Sequence, residues 1–471
     1  MKYKNLTEKY AGNETEKVAR NKYNEDYIDC LGRFKTEREW VKHIVEDARD
    51  YKYAGNELID EQLYIPCSCH VNGLENKKGY MNNKDKGCIL YSLGDPHVIG
   101  FNIIVAHIDS PRIDLKPNFL YEGGELAYGK THTYGGIKNY QWTTIPLEIR
   151  GTIYKKDGTA LNCRDLFNDI TITISDIQAH LSYDQEKRTA KDIIADEEMN
   201  LILGSIYGNN EDKKESDRVK NGILNILKEK YNIEELDLLT SEIEIVPKTN
   251  PSYIGLDKGL IGGYGQDDRA LAFAALRAEF DKKELGMGCR STFIIFADKE
   301  EIGSIGNSGM LSTWWLNYFK ELCKSLNRDY EYELSKSVCI SADVNGAYDE
   351  TWGSCFEKEN ACYINKGISV VKCTGDSGKY DSNDANAKTF NEIIRFMDSN
   401  DIGFQVSLMG RIGLGGGGTV SAYTAGYNID TIDVGVPLLN MHSPYELTST
   451  YDTYEVYKFY KLFLESFGKK G

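Results

Sequence analysis

The chain reads as an α/β domain interrupted by an inserted β-rich domain. Three observations predict it. Buried-strand runs alternate with helical patterns near both ends of the chain. Between about Pro117 and Pro247 that alternation gives way to period-two runs typical of an antiparallel sheet. The length, 471 residues, exceeds what one ordinary core accommodates and suggests two domains. The division read from this pattern is 1–116 with 248–471 as one discontinuous domain and 117–247 as the insertion.

The first element predicted is a helix from Thr36 to about Tyr53. Thr36 and Glu39 form a capping-box pattern, and Trp40, Val41, Ile44 and Val45 supply an apolar stripe. Two strands follow, Gly87–Tyr91 and Ile103–Ala106. The second is a continuous apolar run, as expected of a strand covered on both faces. Within the insertion, Thr144–Ile149 and Ile170–Ile174 read as strands, and Pro146 assigns the first to a sheet edge because it lacks a backbone donor. The charge-dense stretch from Gly208 to Lys230 reads as a solvated loop entering a helix. Beyond Ile254, Asp267–Leu285 reads as a helix. Ser291–Ala297, Val338–Ala342 and Ile432–Val436 read as buried strands.

Composition excludes several classes. A net charge of -16 and the lack of a basic cluster argue against nucleic-acid binding. No run of 18 apolar residues predicts a membrane span. The polar N-terminus lacks the apolar run of a signal peptide, so the cytosol is expected. Eleven cysteines without a repeating spacing read as reduced thiols, including the Cys67-Ser68-Cys69-His70 group.

Five segments carry acidic or imidazole groups, most of them at or just past predicted strand ends, where open α/β sheets build their sites. His107 and Asp109 share one side of an extended segment, so the imidazole can bind a metal while the carboxylate orients it. Asp267 and Asp268 sit at a helix start, where they either cap the helix or bridge two cations. Glu300 and Glu301 follow a buried strand. One of them can ligate a metal while the other accepts a proton from water. Asp343 follows another buried strand, and His442 follows an apolar stretch. Each segment alone reads equally well as a turn, a cap or a core polar residue. Together, two imidazoles and at least three carboxylates suit a pair of zinc or similar cations about 3.5–4 Å apart, with a bridging water as nucleophile. Gly413–Thr419 (GLGGGGT) lacks the Lys-Ser/Thr ending of a phosphate loop. There is no G-x-S-x-G elbow and no H-E-x-x-H helix.

Taken in order, HIDSPR, HTYGG, QDDR, DKEEIGS, SADVN, GKYDSNDANA, GGGGT and MHSPYE resemble the aminopeptidase I / aspartyl aminopeptidase family of dinuclear zinc exopeptidases. The resemblance spans nearly the whole chain and implies a doubly wound, mixed-sheet zinc-peptidase domain with an inserted oligomerisation domain. It implies that Asp267 bridges two metals. His107, Asp343, Glu301 and His442 complete the ligand set, Glu300 is the general base and Asp109 orients His107. It implies that His180, in DIQAHL, enters a neighbouring subunit's site and stabilises an oxyanion. Here the chain departs from the family pattern, with Asp176 where a further histidine is expected. HTYGG also runs on as IKNYQW, where many relatives carry a Trp-His-Thr-Trp-type stretch.

The implied cofactors are two divalent ions, zinc first, with cobalt or manganese also suiting the ligands. The implied partners are peptides with a free N-terminus and further copies of the chain, typically twelve in a tetrahedron. GKYDSNDANA and GLGGGGT are similar to the branch that removes neutral residues such as leucine in preference to aspartate or glutamate. Lys379, which could pair with an acidic side chain, reads as a surface lysine. The alternatives on the same core are a deacylase or carboxypeptidase, and a non-catalytic assembly or cargo protein.

Overall fold

A computed structural model describes residues 3–56, 58, 59, 62, 63, 77–208, 217–375, 382–411, 413, 414 and 417–469. The Cys67–His70 group and Lys379 fall outside these. The chain forms two compact units. One comprises Met1–Asp109, Pro251–Met441 and Glu446–Gly471; the other comprises Ser110–Asn250 and His442–Tyr445.

The first unit is built on a nine-stranded mixed sheet. Its centre is three neighbouring parallel strands, Ser291–Ala297, Phe101–His107 and Val338–Ala342, with Asp430–Gly435 parallel beyond them. Gly87–Ser92 and Ile368–Val371 run antiparallel against this block, one on each side. The three central strands are buried at every position. Strand pleating sends alternate residues to opposite faces. Ile104, Ile294 and Ile340 join one core cluster, with the helices Glu37–Asp50, Gln266–Asp281 and Thr450–Ser466. Ile103, Phe293 and Cys339 join a second, with the helix Trp314–Ser325. Helices therefore cover both faces, which is why these strands read as continuous apolar runs.

The sequence-predicted helix from Thr36 is Glu37–Asp50, with the Thr36 side chain accepting from the Glu39 amide. The helix predicted from Asp267 is Gln266–Asp281, although Asp267 and Asp268 themselves have non-helical backbone. A five-stranded sheet in the same unit was not legible as a pattern. Its strands are two to four residues long and come from distant parts of the chain: Ser252–Ile254, Leu260–Gly263, Glu446–Ser449, Pro437–Leu439 and Asn345–Gly346.

The second unit is a seven-stranded sheet, antiparallel throughout. Its longest strand, Arg112–Gly123, runs through Pro117, and the pairing register shifts between Leu115 and Leu120. That irregularity accommodates a residue without a backbone donor. Pro146 does not mark an edge, contrary to expectation. The strand begins after it, at Leu147, and lies between Ala160–Asn162 and Glu242–Pro247. Pro146 needs no ladder donor there, and its carbonyl accepts from the Lys248 amide. The second expected strand is shortened to Thr173–Ile174 at the sheet edge. The helix after Gly208 is Arg218–Tyr231; residues 209–216 lie outside the described set.

The Gln266–Asp281 helix is anchored at its far end by a buried ion pair. The Lys282 ammonium lies 2.5 Å from Glu279 Oε1. Ser92 and Tyr53 also donate to that oxygen, and Thr292 donates to Oε2. Burial pushes the Lys282 pKa down, so the carboxylate is what keeps the charge tolerable. Glu279→Ala should cost about 3–5 kcal/mol in urea unfolding by stranding the ammonium, and adding Lys282→Met should recover part of that loss. An unchanged midpoint and slope for the single variant would contradict the pair's role.

Candidate metal centre

Three of the site segments leave the sheet side by side. His107 ends its strand and pairs with Ala297 across the sheet, while Ala106 pairs with Ala342. The residues that follow, Asp109, Glu300, Glu301 and Asp343, therefore start from one edge of the sheet. Glu300 and Glu301 sit on a single 3-10 turn, Glu300–Ile302, bounded by left-handed Lys299 and Gly303. Asp267 arrives from the start of the Gln266–Asp281 helix.

The His107 ring is buried between two acids. Its Nδ1 lies 3.0 Å from the Asp109 carbonyl and 3.4 Å from Asp109 Oδ1; Nε2 lies 3.2 Å from Asp267 Oδ1. A carbonyl can only accept, so Nδ1 carries a proton toward Asp109, and Nε2, beside Asp267, is the ring nitrogen at which a cation can replace a proton. Asp109 is fully buried and also accepts from the backbone amides of Glu300, at 3.2 Å, and Glu301, at 3.3 Å. One carboxylate thus aligns the imidazole and fixes the turn bearing both glutamates. His107, Asp267 and Asp343 offer ligand atoms all within 4.8 Å of one another, and so do His107, Glu300 and Glu301.

The electrostatics are those of an acid-crowded site. Burial works to lower the His107 pKa, yet hydrogen bonds to Asp109 and Asp267 and the charge of Glu300 raise it well above the usual imidazole range. Burial, reinforced by the charges of Asp267 and Glu300, pushes Asp343 well above the usual carboxylate range. Asp268 is raised likewise, first by burial; neither of its oxygens has a hydrogen-bond partner. Several buried carboxylates around one imidazole are costly by themselves. A divalent cation relieves that repulsion, and a mixed imidazole and carboxylate donor set suits zinc. The residues present therefore fit a bound metal.

The turn leading to Asp267 depends on a glycine. Gly265 has φ +71°, and a Cβ there would sit 1.4 Å from the Arg269 guanidinium. Arg269 is fully buried and donates to the carbonyls of Gly265, Tyr264 and Phe34. The Asp267–Asp268 peptide is cis.

Two sequence-predicted site residues belong to the second unit. His442 has φ +65°, and its Nδ1 lies 2.7 Å from the Gly136 carbonyl of the HTYGG segment. His180 is exposed on the 3-10 turn Ala179–Leu181. Sequence reasoning assigned no role to Gln266, Arg269 or Glu446, although all three lie inside quoted motifs. Each has a partner far along the chain that no local spacing reveals: the Phe34 carbonyl for Arg269, the Glu446 carbonyl for Gln266, and the Gln266 and Asp267 amides for Glu446.

A family model described as aminopeptidase I zinc metalloprotease (M18) matches residues 31–464. A Clostridium acetobutylicum protein named probable M18 family aminopeptidase 1 is 39% identical over 475 residues, covering 98% of this chain and 98% of its own. The crystal structure of an M18-family aminopeptidase from Thermotoga maritima superposes with a TM-score of 0.89 at 34% identity, covering 99% of each chain. A dodecameric S. cerevisiae mApe1 structure has the same fold, with a TM-score of 0.73 at 18% identity over 94% of this chain and 96% of that one.

Asp109→Ala should weaken metal binding about 10–100-fold, because it frees the glutamate turn and removes the carboxylate beside His107 Nδ1, leaving only the backbone carbonyl to hold the ring. Metal content after dialysis against a competing chelator measures this, and wild-type content would contradict it.

Proposed function

The chain belongs to the aminopeptidase I (M18) family of zinc metalloproteases and is a metal-dependent aminopeptidase; from that premise we propose how its residues divide the work. The site would hold two divalent cations, zinc in the first instance, with cobalt or manganese also suiting the donors. Asp267 would be shared between them, His107 and Asp343 would serve one, and Glu301 and His442 the other. Such cations would supply polarisation of the scissile carbonyl and a more acidic attacking water. Glu300 takes the proton from that water and returns it to the leaving amine. Asp109 holds the His107 ring and the Glu300 amide in one frame.

The observation that carries this reading is the crowding of Asp267, Asp343, Glu300 and Glu301 around the single His107 imidazole at the sheet edge. For His442, the support is its place in MHSPYE and the proton its Nδ1 carries toward Gly136, which leaves Nε2 as the ligating atom.

The enzyme works as a homo-oligomer, a twelve-subunit assembly in which the β-rich insertion makes contacts between subunits. His180 acts in a neighbouring subunit's site, holding the developing oxyanion. Its exposure supports this role, as does that of Leu181 and Tyr183, which are 63% and 75% exposed. The residue removed is neutral, leucine-like, on the resemblance of GKYDSNDANA and GLGGGGT to that branch of the family. The compartment is the cytosol, on the thiol-rich composition. No helix among the described residues is long and apolar enough to cross a membrane.

A panel of N-terminal aminoacyl substrates, free and N-acetylated, with and without chelator, tests the activity. Leucyl substrates should be cleaved fastest, N-acetylation should abolish turnover, and chelator should remove it reversibly. Cleavage of blocked substrates would favour a deacylase instead, and faster release of aspartate would overturn the neutral preference. Glu300→Gln should keep its metal content but lose roughly two or more decades in kcat. Retained turnover would remove Glu300 from the role of base.

A further inference from the structure

We propose that Glu446 is a positioning residue for the metal site: its carboxylate caps the backbone at Asp267 and so sets where the bridging carboxylate stands. This rests on the metallopeptidase reading of the site and adds to it a residue outside the ligand set.

Glu446 is 1% exposed and opens the strand Glu446–Ser449. That strand pairs with Leu260–Gly263, with Glu446 opposite Gly263. From Gly263 the chain turns through Tyr264 and left-handed Gly265 into the Gln266–Asp281 helix. The Glu446 side chain crosses that turn to its far end. Its Oε2 accepts from the amide of Gln266 at 2.6 Å and from that of Asp267 at 3.2 Å. The Gln266 and Asp267 amides come before the regular helix, because Asp267 and Asp268 have non-helical backbone, so the helix offers them no acceptor. Gly265, before them, has no side chain to supply one. A buried carboxylate from a distant strand does so instead.

Neighbouring groups fix the cap. Gln266 donates from Nε2 to the Glu446 carbonyl at 2.7 Å and to the Ile261 carbonyl at 3.1 Å, and it accepts from Tyr27. Arg269 ties the carbonyls of Tyr264 and Gly265 from the other side. The Asp267 backbone is thereby held on both sides, while its side chain faces His107 Nε2. Because Asp267 and Asp268 lie outside helical φ/ψ, the helix itself does not dictate where Asp267 points. Glu446 supplies the missing constraint. A carboxylate shared by two cations would have little room to move, and misplacing groups at a reacting centre by about 1 Å can cost on the order of 100-fold in rate.

Cobalt titration of the metal-free, full-length protein, followed by visible absorption, tests the assignment. Glu446→Ala should raise the apparent cobalt dissociation constant about 10–100-fold and alter the cobalt spectrum. Glu446→Gln keeps an acceptor oxygen and should lose less, which also covers the case in which the alanine variant fails to fold. Glu279→Ala, at the opposite end of the same helix, should bind cobalt as the wild type does despite its lower stability. Wild-type cobalt affinity and spectrum in both Glu446 variants would overturn the proposal. So would an equal loss in Glu279→Ala, because the effect would then be one of stability. Failure of the wild type itself to bind cobalt would instead bring down the metal-site reading on which the proposal rests.

Discussion

The in-register parallel pairing of Phe101–His107 with Ser291–Ala297 and Val338–Ala342 is the constraint on which the site depends. It brings three chain segments, spread from Phe101 to Ala342 along the chain, to one edge of the sheet. His107, Asp109, Glu300, Glu301 and Asp343 follow from that register. Slipping one strand by a single residue would turn its buried set to the opposite face and move its terminal site residue out of reach. The apolar layers on both faces therefore protect the register and the chemistry together.

On that frame, positions are set by carboxylates that accept backbone amides. Asp109 receives two amides from the glutamate turn, and Glu446 receives two from the helix start. Both are buried, so these charge-assisted bonds act in a medium where they are strong and their loss is expensive. The site thus contains acids of two kinds. Some crowd the His107 imidazole and are poorly compensated without a cation. Others are satisfied by the backbone and hold the first kind in place. The same residue type serves both ends because burial penalises a carboxylate that finds no partner, whether that partner is an amide or a cation.

The central strands were legible because they are covered on both faces, so Ser291–Ala297 and Val338–Ala342 were read to the residue. The helix from Thr36 was legible from its cap. Pro146 misled because a missing donor matters only inside a ladder, and the strand starts one residue later. The five-stranded sheet was invisible because its strands are too short to show a period and pair across distant parts of the chain.

The sequence by itself determined the class of chemistry. Residue types at or past strand ends and at one helix start, in the order His107, Asp267, Glu300 with Glu301, Asp343 and His442, carry the family pattern, and that pattern is a matter of local chemistry and order along the chain. Only the tertiary structure decided the geometry: that Asp109 grips the glutamate turn as well as facing His107, that Asp267 leaves the helical path, and that Glu446 reaches its amide from another strand. The physical reason is that backbone amides are the same at every residue. Nothing in a sequence marks which amide a distant carboxylate will meet; that is settled when the sheets pair.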